Sequence, residues 1–475
     1  MDMKNSLEIT KLNTNDIIWS YLGQGFSIFY GILVIPLVVK TCTAEEVGFY
    51  YLMLTISSSV QLLDFGFCPQ FAKNITYVLS GVSKIEREGI VPSENANRID
   101  FKLLFSLFES AKFIYRRLAF ILLMLLVCLG TIYIYNVTDG FKLVEKSLTI
   151  WMLFSLSLFF ELLFRYYNAI LLGRGFVKRL RQVQVASKLS NIILICFFLF
   201  LNLGLLGIVI ANFIAPFIGR YIAHRFVYEN GLAKNFREIQ IKKDEMLNVC
   251  KTVWFNARKM GIVFLAALLI TRVSLIISGL YLSLAEIGSY GLMIQLVGVV
   301  SILATTIVVI NNPVFAALEV NGKNSDKINT LSSCIISYYA IYICLACILA
   351  LTSNFVLGII DSTVLLPSNG IILLYLLVIF LEGNHSAFSH YIASTNRVPF
   401  VLSSVIAGSA ICVLSFIYLR FFEGGILGLV IIQGTVQLLY ANWKWPRFVL
   451  KELDIGYWRF LSVGIKQHLN RMGIH

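Results

Sequence analysis

Glu46-Val47-Gly48-Phe49-Tyr50-Tyr51-Leu52-Met53-Leu54 has a counterpart 240 positions later in Glu286-Ile287-Gly288-Ser289-Tyr290-Gly291-Leu292-Met293-Ile294. A second pair, Gly204-Leu205-Leu206-Gly207-Ile208-Val209-Ile210 and Gly425-Ile426-Leu427-Gly428-Leu429-Val430-Ile431, recurs at an offset of 221, and Glu161 and Glu382 share that offset. Two matches in the same order, at equivalent places in the two halves, indicate an internal duplication with residues 1–235 as one lobe and 236–475 as the other.

Both motifs sit at the edges of long apolar runs. Of the 475 residues 58% are apolar and only 14% charged, and the mean hydropathy is +0.80. A soluble chain of this size carries roughly 25% charge, so an ordinary water-soluble protein is excluded. A spanning helix needs roughly 20 mainly apolar residues. Twelve such windows occur, near 17–40, 47–72, 118–135, 148–172, 182–201, 204–227, 254–279, 287–316, 331–352, 367–392, 399–420 and 424–445. The runs are too long and uninterrupted for barrel strands, so each is a helix whose backbone groups are satisfied internally. The expected fold is an all-α polytopic membrane protein with about twelve transmembrane helices in two pseudo-symmetric six-helix bundles around a central cavity. The first span follows sixteen mostly polar residues and lacks a small-x-small site, unlike a cleavable signal. Trp19, Trp151, Trp254, Trp443 and Trp445 fall at span ends, where an indole ring favours the headgroup layer.

Basic residues resist translocation. With both termini and the even-numbered loops on one side, that side takes 33 of the 39 Lys and Arg residues and the other takes 4. Both ends are therefore expected in the cytoplasm. The net charge of +13 then reflects topology and attraction to anionic membrane lipids rather than nucleic-acid binding. The nine cysteines, Cys344 and Cys347 included, are scattered through apolar stretches and give no redox or metal pattern.

Because each half holds six spans, both enter the membrane from the same side, as required for two bundles rocking about a central site. Gly23, Gly25, Gly31, Pro36, Pro216 and the Asn311-Asn312-Pro313 run fit either hinges or close static packing. Five ionisable residues lie inside spans: Asp64, Glu161, Arg165, Arg272 and Glu382. Each costs at least about 2.5 kcal/mol in hydrocarbon and so faces a cavity or a partner. Arg272 is nearly 12 Å from the outer end of span seven at about 1.5 Å per residue. It needs an anion, either a carboxylate on another helix or a substrate phosphate. Arg165 can snorkel, pair with Glu161 one turn earlier, or meet substrate. Asp64, Glu161 and Glu382 could carry a coupling proton or sodium ion, or sit neutral without function, with His385 and His390 as weaker candidates. Asp64-Phe65-Gly66 matches a kinase triplet only by letters, and no catalytic constellation is present. Ile99–Arg117, with Phe101, Leu104, Phe105 and Phe108 on one side, suits a helix lying in the cytoplasmic headgroup layer. Residues 446–475, with Trp458 and Phe460, suit the same role.

Glu45-Glu46-Val47-Gly48-Phe49-Tyr50, Leu62-Leu63-Asp64-Phe65-Gly66-Phe67, Leu203-Gly204-Leu205-Leu206-Gly207 and Glu286-Ile287-Gly288-Ser289-Tyr290, in that order and spacing, resemble the polysaccharide-transporter branch of the multidrug/oligosaccharidyl-lipid/polysaccharide exporter superfamily. The resemblance covers essentially the whole chain and is greatest to the O-antigen-type flippases. It implies twelve helices in two lobes, a V-shaped cavity, no cofactor, and a bacterial inner (cytoplasmic) membrane location. It further implies translocation of an undecaprenyl-pyrophosphate-linked oligosaccharide from the cytoplasmic to the periplasmic leaflet, with membrane lipids, the polysaccharide polymerase and the chain-length machinery as partners. Arg272, followed by Arg165, best fits the pyrophosphate, since a guanidinium gives phosphate oxygens several donors. Many relatives carry an acidic residue at this point of span seven, so the arginine marks a different substrate or coupling mode. No G-x-x-x-x-G-K-[ST] loop is present, so an ion gradient is expected to drive transport. A drug/cation antiporter of the same superfamily is the alternative. A membrane polymerase would need longer outer loops.

Overall fold

A computed structural model describes residues 14–62, 64, 66–82, 84–85, 99–229, 239–312, 314–315, 318, 324–394, 399–422 and 424–471. Its first half comprises α1 (Thr14–Thr41), α2 (Ala44–Leu62), α3 (Phe67–Leu79), α4 (Phe101–Leu125), α5 (Thr131–Val137), α6 (Ser147–Phe164), α7 (Tyr166–Gly173), α8 (Val177–Phe200) and α9 (Gly204–Val227). The second comprises α10 (Lys243–Thr271), α11 (Val273–Ser278), α12 (Leu284–Ile310), α13 (Asn324–Ile359), α14 (Asn369–Ser394), α15 (Val401–Phe421), α16 (Ile426–Leu439), α17 (Ala441–Glu452) and α18 (Tyr457–Arg471). Four pairs are single rods with a local break, α4/α5 through a π-turn, α6/α7 at Arg165, α10/α11 at Arg272 and α16/α17 at Tyr440, and a turn at Asp64 parts α2 from α3. With α2 and α3 counted together, the described residues form twelve rods before α18.

Among the described residues, nine helices are long and apolar enough to cross a membrane. Their outer faces carry large apolar side chains in the open, such as Phe200, Leu351, Phe355 and Leu402, a pattern suited to lipid rather than water. The chain is a multi-pass membrane protein. Two compact units are formed, one from the described residues within Met1–Cys42 and Met53–Leu265, the other from those within Thr43–Leu52 and Ala266–His475. In the first, α8 packs on α1 and α9, α6 on α4 and α9, and α3 on α7. In the second, α13 packs on α12 and α18, and α14 on α12, α16 and α17.

The repeated motifs form the same local structures in both halves. Thr43 and Glu46 exchange bonds with each other's backbone N–H groups at 2.9 and 3.2 Å, as do Ser283 and Glu286 at 2.9 and 3.3 Å. These are capping boxes that satisfy orphan donors at the starts of α2 and α12. The two helices then meet at their glycines. A Cβ on Gly288 would lie 3.1 Å from the Gly48 nitrogen, and one on Gly48 would fall inside the Leu284 carbonyl.

Three expectations are corrected. Ile99–Arg117 is not a separate interfacial helix: α4 runs unbroken from an Asp100 cap, whose Oδ1 accepts the Leu103 N–H at 2.9 Å, because residues 101–125 contain no Gly or Pro. Its apolar face, with Leu104, Leu107, Phe108 and Ala111, is buried in protein rather than lipid. The end of the chain is likewise docked on protein, with Phe460 buried 5.9 Å from Phe388, and His468 Nε2 lying 3.1 Å from the hydroxyls of Ser333 and Ser337. Trp458 is turned outward there, 81% exposed, and Tyr457 and Ile465 are exposed too. Trp151 and Trp445 are core residues rather than headgroup anchors, and Trp151 Nε1 donates to Thr131 Oγ1 at 3.1 Å. Pro313 lies outside the described residues.

The Gly173-Arg174-Gly175 turn closes α7 with Gly175 at φ 74°. Arg174 is buried there, its Nη1 donating to the Val227 carbonyl at 2.6 Å and its guanidinium over the Phe176 ring. Burial first, then the nearby Arg179 cation, pushes its pKa down to about 10, which leaves it charged at neutral pH.

Candidate functional site

The five charges predicted inside spans fall into one polar centre in each unit. In the first unit the α2/α3 break places Asp64, which is buried, where its carboxylate collects three donors. Tyr115 of α4 donates to Oδ1, the Cys68 N–H donates to Oδ2 at 3.4 Å, and Arg165 Nε lies 3.9 Å from Oδ2. Arg165 sits at the α6/α7 break, a site that turns its side chain toward Asp64 rather than along the helix to Glu161.

Glu161, one turn earlier, lies within electrostatic reach of both Arg165 and Lys188. Around it α1, α8 and α9 contribute a chain of neutral polar groups. The Tyr30 hydroxyl donates to Asn191 Oδ1 at 2.6 Å, Asn191 Nδ2 donates to Asn212 Oδ1 at 2.9 Å, and the Ser157 hydroxyl donates to the Asn212 carbonyl at 2.7 Å. Lys188 lies over the Tyr30 ring, 5.5 Å from its centroid, and is electrostatically coupled to Arg181. Lys188 and Arg165 thus flank a single half-buried carboxylate, with Arg181 acting on Lys188.

In the second unit Arg272 occupies the α10/α11 break, with φ −128° and ψ −25°. The backbone bonds across it persist, Arg272 N–H to the Leu268 carbonyl at 2.9 Å and Ile276 N–H to the Arg272 carbonyl at 3.4 Å, so the rod bends without opening. Among the described residues its half-buried guanidinium has no carboxylate within 4.0 Å, and the group it senses is Tyr375. Tyr375 also senses Glu382, as do Tyr290, Tyr338 and Tyr342. Glu382 Oε1 accepts one hydrogen bond, from Gln433 Nε2 at 3.0 Å. Tyr338 and Tyr342 spend their hydroxyls on the carbonyls of Phe380 and Leu376, both at 2.8 Å.

The centres therefore bring Arg165 together with Asp64, bring Glu161 beside Arg165, and link Arg272 to Glu382 through Tyr375. His385 is held apart, its Nδ1 2.7 Å from Asn442 Oδ1. Sequence reasoning missed Lys188, counted among loop cations although it lies halfway along α8, and missed the amides. One signal was legible: Asn212 and Gln433 differ by the repeat offset of 221, as do Glu161 and Glu382. The duplication thus sets an amide on the sixth rod of each half, beside the glutamate of the fourth.

No family model and no curated protein matches the sequence. Solved structures do match in three dimensions. An inward-facing multidrug resistance MATE family transporter of the multidrug/oligosaccharidyl-lipid/polysaccharide exporter (MOP) superfamily aligns over 95% of this chain and 98% of its own, with TM-score 0.67 and 10% identity. The lipid II flippase MurJ, in an inward closed conformation, aligns over 95% and 90%, with TM-score 0.62 and 13% identity. A MOP superfamily transporter from Pyrococcus furiosus Vc1 (DSM3638), for which reverse polarity of the binding pocket suggests a different function, aligns over 96% and 98%, with TM-score 0.54 and 13% identity. With its twelve rods and its two polar centres, the chain has the fold of the MOP superfamily transporters.

Proposed function

We propose that the protein is a flippase for an undecaprenyl-pyrophosphate-linked oligosaccharide, an O-antigen or similar surface polysaccharide repeat unit. It would move this unit from the cytoplasmic to the periplasmic leaflet by alternating access, in the bacterial inner membrane, with both termini cytoplasmic. The observation that carries the reading is Arg272, a guanidinium deep in a membrane rod without a carboxylate within 4.0 Å among the described residues. An uncompensated cation there is costly unless an anion visits it, and a pyrophosphate is such an anion. Arg165, with Lys188 and Arg181 nearby, supplies a second cationic locus.

For coupling to an ion gradient, Glu382 and Glu161 are the carboxylates best placed to exchange a proton or sodium ion. Asp64 already receives three donors and is assigned to fixing the α2/α3 break against α4 and α7. Deleting the gene should cause the undecaprenyl-linked unit to accumulate. Wild-type protein should clear it, and Arg272→Ala, at equal membrane abundance, should not. Full clearance by Arg272→Ala would remove the arginine from the mechanism.

A second reading, a drug/cation antiporter, is favoured by one feature, the four tyrosines within electrostatic reach of Glu382, which suit an organic cation. That reading requires cationic dye efflux that disappears in Glu382→Gln, while the undecaprenyl-linked pool is unchanged by deletion.

A further inference from the structure

Apart from the two polar centres, the second unit contains a hollow of about 550 Å³ between α14, α17 and α18. Asn384, Asn442, Trp443, Arg447, Lys451 and Tyr457 line it, over a floor of Pro446, Leu450 and Ile455. No carboxylate is among the described lining residues. Arg447 and Lys451 stand one turn apart on α17, both exposed, and neither has an ion-pair partner among the described residues. Like charges at this spacing repel one another, so the pair is unfavourable unless an anion sits between them.

The two asparagines are pre-oriented as donors. Asn384 Oδ1 accepts the Tyr339 hydroxyl at 2.8 Å, and Asn442 Oδ1 faces His385 Nδ1 at 2.7 Å. Their Nδ2 groups have no partner among the described residues, and both side chains are buried at the base of the hollow. Tyr457 is fixed at the rim by the Tyr339 hydroxyl at 2.8 Å, and Trp443, 47% exposed, projects beside it. Two cations, two amide donors and an amphipathic aromatic rim form a receptor for a phosphate at a membrane surface. The core beneath, with Trp445, Val449, Phe388 and Phe460, holds α14, α17 and α18 together.

We propose that this hollow binds the phosphate headgroup of an anionic phospholipid, phosphatidylglycerol or cardiolipin, in the leaflet that faces the Lys- and Arg-rich side of the protein. The volume suits a glycerophosphate group. The exposed apolar faces of Leu438, Leu439 and Trp443, next to the rim, give acyl chains a surface that a free phosphate would not use. This site is separate from the transport centres and does not depend on the transported substrate.

The test is native mass spectrometry of the full-length protein in detergent, with cardiolipin, phosphatidylglycerol or phosphatidylcholine added at equal concentration. Wild-type protein should retain the anionic lipids and lose phosphatidylcholine. Arg447→Gln/Lys451→Gln should weaken retention of the anionic lipids by about tenfold or more. The matched charge change Lys142→Gln/Lys146→Gln, in a loop that the Lys and Arg distribution assigns to the other side, should leave it unchanged. Equal retention of cardiolipin and phosphatidylcholine by wild-type protein would overturn the proposal, whether or not the variants fold. So would equal loss in the two double variants, which would mean diffuse electrostatics. Displacement of the lipid by millimolar inorganic phosphate would assign the hollow to a soluble phosphate and overturn the lipid assignment.

Discussion

Arg272 and Asp64 illustrate opposite fates for a charge inside a membrane protein. Asp64 is compensated by a hydroxyl, a backbone N–H and a guanidinium. Removing one donor from a buried carboxylate costs about 1–3 kcal/mol. Tyr115→Phe should accordingly lower the thermal unfolding midpoint in detergent, and an unchanged midpoint would show that the hydroxyl contributes nothing net. Arg272 is not compensated in this way, so its removal should leave stability near wild type or raise it while transport is lost. Arg272→Lys should retain part of the transport, because the charge remains but the fork of donors does not. Complementation of a deletion strain, with protein level checked alongside, separates these outcomes. Asp64 and Tyr115 are 51 positions apart and Arg165 is a further fifty along the chain, so no local pattern could announce their meeting. The depth of Arg272, by contrast, could be read from the length of the apolar run around it.

At the scale of helices, three of the five intramembrane charges sit at breaks, at Asp64, Arg165 and Arg272. A break re-aims a side chain that an ideal helix would send along its own face, which is why the i, i+4 pairing of Glu161 with Arg165 gives way to Arg165 with Asp64. The repeat motifs that mark the duplication turn out to be joints. Glu46 and Glu286 are capping residues, and Gly48 and Gly288 let α2 and α12 touch backbone to backbone. The second motif behaves alike, since a Cβ on Gly207 would press on Phe198 and one on Gly428 on Tyr418. Gly48→Ala should therefore destabilise the protein by about 1–3 kcal/mol through overpacking. Gly25→Ala, where nothing lies within 4 Å of the added methyl, should be close to neutral. Comparing the two by thermal unfolding in one detergent checks this, and equal effects would contradict the close approach. The motifs were legible as letters, but their role was not, because a capping box and a glycine contact require knowing which helix lies opposite.

For the molecule as a whole, the duplication delivers equivalent glutamates, Glu161 and Glu382, into unlike surroundings: cations and asparagines in one unit, tyrosines and one glutamine in the other. The all-helical fold and its rods followed from hydropathy, which depends only on composition along the chain. The unlike surroundings of the two glutamates depend on Lys188, Asn191 and Tyr375, whose placement is set by packing. If Arg272 binds the anion and Glu382 handles the ion, Glu382→Gln should abolish dependence on the ion gradient while lipid-linked substrate still binds. Gradient dependence that survives in both Glu382→Gln and Glu161→Gln would place coupling elsewhere. The most direct measurement is leaflet-resolved translocation of a purified undecaprenyl-pyrophosphate oligosaccharide in proteoliposomes, read by enzymatic access to the sugar from one side. Wild-type protein should move the sugar across and Arg272→Ala should leave it where it began. Equal translocation by both, or none by active wild-type protein, would contradict a flippase built around that arginine.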